Sequence, residues 1–183
     1  MPITPDTKNW TWVVERPCPE CGFDANEFPR DVIGRTIRSN AAEWVPLLNR
    51  VDASTRPSDD RWSALEYACH VRDVYRIFDV RLSLMLDEEN PTFQNWDQDQ
   101  TAVDERYDLQ HPSVVIGDLL LAGATLADRL DALDDDAWQR TGTRSDGTRY
   151  SVSTLGLLAV HDPMHHLFDV APTSRRASDA SNQ

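Results

Sequence analysis

Apolar residues recur at intervals of three and four along four stretches of the chain, the spacing that gathers side chains on one face of a helix. The first stretch runs from Asp31 to about Arg50 and uses Val32, Ile33, Ile37, Trp44, Leu47 and Leu48, with Val51 at its end. Asp31 is placed to cap it. Pro46 lies inside it and predicts a kink or an early stop, because proline lacks the N–H that the helical ladder needs. The second stretch runs from Ser63 to about Leu86, with Val71, Val74, Ile77, Phe78, Leu82 and Met85 in register. Ser63 and Glu66 fit a capping box at its start. The third, from Ser113 to about Leu133, carries Val115, Leu119, Leu120, Leu126, Leu130 and Leu133. The fourth runs from Ser153 to Val170.

Between these stretches lie a polar loop (Asp52 to Arg61), a long connection over 87–112, and a segment from Asp134 through Trp138 to Gly147, where Gly142 and Gly147 mark turns. Strand signals are few. Residues 1–30 form an irregular leader with five prolines, in which Trp10, Trp12, Val13 and Val14 are expected to pack on the body. Residues 171–183, rich in Ser, Ala, Arg and Asp, are expected to be disordered. The pattern predicts an all-α, four-helix bundle over 31–170.

Charge narrows the function classes. The 183 residues include 18 Lys and Arg against 31 Asp and Glu, a formal net charge of −13. Binding to a phosphate backbone needs clustered positive charge, and the longest basic run is Arg175-Arg176, so nucleic acid is excluded as an expected partner, as is anionic lipid. No apolar run approaches the roughly 20 residues that span a bilayer. No basic-then-apolar leader marks export either, and a cytoplasmic protein is expected. Three cysteines do not suggest a secreted disulfide framework. Cys18-Pro19-Glu20-Cys21-Gly22 has three competing readings: half of a zinc site completed by a partner chain or a distant histidine, a redox pair, or a tight turn with free thiols. The turn is favoured, because no second Cys-x-x-Cys is present. Cys69 reads as a small core residue.

The chemistry concentrates in His161-Asp162-Pro163-Met164-His165-His166, which holds three of the five histidines. His161 and His165 are four apart on a helix and share a face, which makes half of a metal site. The same spacing also suits a solvated face or a pair of satisfied core histidines, so a third ligand is needed. His111 precedes Pro112 in a loop. His70 lies two turns into the second helix and is better fixed, so His70, His161 and His165 are the candidate metal ligands. Pro163 lies between two of them and predicts a local distortion that would rotate His161 relative to His165. Glu66, Asp73, Asp162 and Asp169 are candidate partners for the ligand imidazoles. Arg72, Arg76 and Arg81 could approach an anionic substrate, and Phe93 and Trp96 could cover the site.

Trp62-Ser63-x-x-Glu66-x-x-x-His70 on the second helix, with His161-x-x-x-His165 on the fourth, resembles the DinB/YfiT-like superfamily, which includes the mycothiol-dependent maleylpyruvate isomerase N-terminal domains. The last helix also resembles a branch reading His-Asp-x-x-His-His-x-x-Asp-Val. The leader lies outside the resemblance. The resemblance implies a three-histidine divalent metal site with open positions. Zinc is the default, and nitrogen ligands also admit nickel, iron or manganese. It further implies a transferase or isomerase that uses a low-molecular-weight thiol such as mycothiol on a small electrophile. The alternatives are a metal-dependent hydrolase, in which water takes the thiol's place, and a non-enzymatic metal-containing stress or binding protein. A homodimer is the expected assembly.

Overall fold

The computed structural model describes residues 10–170; the tail expected to be disordered, 171–183, lies outside the described residues. Each predicted stripe becomes a helix whose ends are set by local chemistry. Helix α1 spans Arg30–Leu48 and α2 spans Ala64–Asp87. After a short helix α3 at Gln98–Asp104 come α4 at Pro112–Asp131 and α5 at Val152–Val170. Pro29, not Asp31, is the N-cap of α1, and no side chain bonds the cap. Asp31 lies in the first turn, where its charge meets the positive end of the helix dipole. The helix stops two residues after Pro46, which leaves Val51 fully exposed. The predicted capping box of α2 is present: the Glu66 N–H donates to Ser63 Oγ at 3.2 Å, and the Ser63 N–H donates to the Glu66 carboxylate at 2.9 Å. In α5 the helix continues through Pro163.

The bundle does not follow chain order. Helix α4 packs against both α1 and α2, and α5 also packs against both, so α1 and α2 face each other across the diagonal. Close approach at the centre depends on Gly123 of α4. A Cβ there would lie 3.2 Å from the Ala41 methyl of α1 and 3.3 Å from the Tyr75 ring of α2. The stripes supply the core, including Ile33, Ile37, Trp44, Leu82, Met85, Leu119, Leu126 and Leu130. Val13, Cys18 and Phe23 of the leader belong to the same core, so residues 10–29 are packed onto the bundle.

All-α is an approximate description. Strand β1 (Thr92–Phe93) pairs in parallel with β2 (Thr141–Arg144), which forms an antiparallel hairpin with β3 (Arg149–Ser151). The 87–112 connection is therefore neither structureless nor free: it holds β1, α3 and a 3-10 turn at Tyr107–Leu109. The sheet runs directly into the last helix. The Val152 N–H donates to the Arg140 carbonyl at 2.9 Å, and the Thr154 N–H donates to Ser151 Oγ at 3.0 Å. These bonds fix where α5 begins and hence its rotation. No described helix is long and apolar enough to cross a membrane.

Two glycines in α4 should behave oppositely. Gly123→Val overpacks the junction of three helices and should lower stability by about 1–3 kcal/mol. Gly117, with nothing near its Cβ position, should give a gain of about 0.5–1 kcal/mol as Gly117→Ala. Urea unfolding of the two variants beside wild type measures both.

Candidate metal centre

Successive residues on an α-helix are rotated by about 100°, and those four apart realign. Helix α5 therefore presents two pairs, His161 with His165 and Asp162 with His166, to different neighbours. The first pair meets the leader. One ligand atom from each of Cys18, Cys21, His161 and His165 lies within 4.8 Å of every other. Cys18 Sγ is 3.7 Å from His165 Nδ1. Trp10 packs over both imidazoles, with ring centroids 5.3 Å from His161 and 4.7 Å from His165, and Phe23 packs on His161 at 5.1 Å. Neither ring nitrogen of the buried His161 has a hydrogen-bond partner. The far nitrogen of His165, Nε2, faces Glu20 at 3.6 Å and Asp169 at 4.0 Å. Burial pushes the Cys21 thiol up to about 12 and lowers His161 to about 4.

The second pair meets α2. His70, fully buried, joins Asp162 and His166, again with one ligand atom from each within 4.8 Å of the others. Asp162 Oδ1 is 3.5 Å from His70 Nε2 and 3.7 Å from His166 Nε2, distances that suit charge attraction more than a formed hydrogen bond. Neither nitrogen of His70 has a hydrogen-bond partner. Burial alone would raise the Asp162 carboxyl, but the imidazoles of His166 and His70 outweigh it and hold it below the usual carboxylate range. The opposite nitrogen of His166, Nδ1, lies 3.1 Å from Asp169, an arrangement that fixes the ring of a metal-ligating histidine. Trp96 stacks flat on His70 at 5.4 Å, and the Trp62 ring packs on it at a tilt, at 5.5 Å.

The three histidines singled out by spacing thus do not fall into one group. His161 and His165 stay together despite Pro163, but they gather with the leader cysteines, while His70 gathers with Asp162 and His166. His111 caps α4 and bonds Ser113, apart from both groups. Of the proposed carboxylate partners, Asp162 and Asp169 touch the imidazoles. Glu66 is taken up by Ser63 and Arg56, and Asp73 by Arg72 and the Tyr107 hydroxyl, at 2.8 and 2.5 Å. Cys69 is fully buried and its thiol is raised to about 12 by burial, as suits a core residue.

A cavity of about 480 Å³ opens beside these groups, lined by His161, Asp162, Trp96, Tyr150, Arg81 and, from the leader, Trp10 and Thr11 among others. Trp96 lines the cavity and stacks on His70. Phe93 packs instead on Tyr150 in the sheet. Of the three arginines, Arg72 pairs with Asp73 and Arg76 with Asp118. Arg81 faces the cavity: its guanidinium lies 5.0 Å over Phe93 and donates to the Gln94 carbonyl at 3.3 Å. Among the described residues, no carboxylate is within ion-pairing distance of it.

A family model of the DinB superfamily matches residues 35–168, and the chain belongs to that superfamily. Among solved structures, YfiT from Bacillus subtilis, described as "a probable metal-dependent hydrolase with an unusual four-helix bundle topology", superposes with a TM-score of 0.71 at 20% sequence identity, covering 81% of this chain and 87% of that one. The likeness shows the same fold. No curated protein matches the chain.

The buried Asp73 cluster beneath α2 predicts acid sensitivity. Burial would raise the Asp73 carboxyl, but the bonds from Arg72 and Tyr107 override it and lower it from the ordinary value. A depressed folded pKa stabilises above the unfolded value, and that stabilisation is lost as pH falls through the folded one. Asp73→Asn should cost about 1–3 kcal/mol near neutral pH. The advantage of wild type should shrink below about pH 4, as read by chemical unfolding at a series of pH values.

Proposed function

We propose that this protein is a metal-dependent enzyme whose working ion sits at His70, Asp162 and His166 and acts on a small anionic electrophile in the adjacent cavity. The observation that carries the reading is the buried His70 imidazole. Both its nitrogens lack a hydrogen-bond partner, a costly arrangement in an interior unless something completes it. A carboxylate and a second imidazole stand within reach. Two imidazoles and one carboxylate are a donor set of zinc hydrolases, with coordination positions left for substrate or water. Zinc is the default, and iron, manganese or nickel also suit these donors. When bound, the ion supplies Lewis acidity and makes water or a thiol nucleophilic near neutral pH.

The protein's own groups do the rest. Asp169 holds the His166 ring through Nδ1, which aims Nε2 at the site. Trp62 and Trp96 pack against His70 and shield it from water. Asp162 and Arg81 both line the cavity, and Arg81, desolvated and without a carboxylate partner among the described residues, anchors a substrate carboxylate or phosphate there.

Hydrolysis is the first reading, supported by the donor set and by the description of YfiT. Transfer or isomerisation with a low-molecular-weight thiol such as mycothiol is the second. The observation in its favour is the cavity volume, about 480 Å³, which is more room than a water nucleophile needs. This reading keeps the ion but departs from the His70, His161 and His165 set that the resemblance implies.

The test is turnover of a panel of small anionic esters, amides and electrophilic acids by zinc-loaded protein, with and without added thiol. His70→Ala should abolish activity. Asp169→Ala should cost about 10–100-fold by loosening His166. Arg81→Met should raise KM for anionic substrates more than it lowers kcat. Turnover independent of thiol establishes hydrolysis, and an absolute thiol requirement establishes transfer. Full activity in His70→Ala would refute the site.

A further inference from the structure

We infer that Cys18, Cys21, His161 and His165 form a second, closed zinc site that clamps the leader onto α5. Four soft or borderline donors, two thiols and two imidazoles, make a complete tetrahedral zinc set with no position left for substrate. The spacing fits. Zinc–sulfur and zinc–nitrogen bonds of about 2.3 and 2.0–2.1 Å at tetrahedral angles put sulfur and nitrogen about 3.6 Å apart, and Cys18 Sγ lies 3.7 Å from His165 Nδ1.

The backbone is shaped for it. The Gly22 N–H donates to the Cys18 carbonyl at 2.9 Å, and the Cys18 N–H donates to the Phe23 carbonyl at 2.8 Å, closing a knuckle around the two sulfurs. Gly22 sits at φ +76°, a left-handed conformation that glycine adopts without strain. His161 is an independent pointer. It is 2% exposed, and neither ring nitrogen has a hydrogen-bond partner. On the far side, His165 Nε2 faces Glu20 and Asp169, the outer contacts expected when Nδ1 holds a metal. Both cysteines are free of disulfides. On binding, the two thiols release their protons to solvent, and the cation with two thiolates and two neutral imidazoles carries no net charge.

The consequence is architectural. Trp10 and Thr11 of the leader form part of the cavity wall, and the clamp ties down the segment that carries them. With it, the leader is fixed to the same helix that carries Asp162 and His166. This closed site is distinct from the open one at His70, and the two have separable readouts.

The experiment is a cobalt titration of the full chain, stripped of metal and kept reduced and anaerobic. Wild type should show sulfur-to-cobalt charge-transfer bands in the near ultraviolet, with strong tetrahedral visible bands, at an intensity that corresponds to one thiolate-bound cobalt per chain. His70→Ala/His166→Ala should keep them, even if it turns over no substrate. Cys18→Ser and Cys21→Ser should lose them. Zinc should displace the cobalt and should slow proteolysis within the leader at least tenfold. Wild type that takes up no cobalt, or takes it up without thiolate bands, overturns the proposal, and that reading needs no variant to fold. Loss of the bands in His70→Ala/His166→Ala with the fold intact by circular dichroism would also overturn it, by making the two groups one site.

Discussion

A buried imidazole needs something at each nitrogen, and helix α5 buries several within two turns. That constraint organises the molecule around residues 161–169. The 100° step between adjacent helical residues divides His161, Asp162, His165 and His166 into two pairs that point apart. Among the described residues, one pair gathers with Cys18 and Cys21 of the leader and the other with His70 of α2. Shifting α5 by a single residue would rotate both pairs by about 100° away from their neighbours, so the grouping depends on its register.

The surroundings hold that register from several directions. The hairpin β2–β3 feeds directly into α5 and supplies both the bond to Val152 and the Ser151 cap. With α1 and α2 placed diagonally, α5 lies between them and brings its second face to His70. Pro163 removes one ladder bond inside the helix, yet the helix stays continuous, with packing and side-chain contacts on both sides of the break. The leader closes the remaining face through Val13, Cys18 and Phe23, which share the main core. The cavity then has walls from the leader, α2, the loop carrying Trp96 and α5, with Arg81 as its buried positive group.

Three of the buried charged groups on α2 have structural duties. Arg72 and Asp73 neutralise one another and carry Tyr107 on the same carboxylate. Glu66 secures both the capping box and Arg56. Arg81 differs because no carboxylate among the described residues answers it. An interior cation in that state is costly by itself, and the guanidinium faces the cavity.

Local periodicity was enough to determine the four long helices, the capping box at Ser63 and Glu66, and the crowding of histidines near the C-terminus, because helix signals depend on residues three and four apart. The Cys-x-x-Cys spacing marked Cys18 and Cys21 as a pair, but it favoured a tight turn with free thiols, and their approach to His161 and His165 emerged only in the tertiary structure. The three-stranded sheet was not legible. Its strands are two to four residues long, and β1 meets β2 only after the bundle has folded, so no period of two could build up. Nor could spacing decide how the ligands are shared. His70, His161 and His165 are equally plausible as one site in sequence, and only the rotation of α5 against α2 and the leader places them in two separate groups of side chains. That rotation is a tertiary quantity, set by the hairpin that starts the helix, the diagonal packing of α1 and α2, and the leader folded across its outer face.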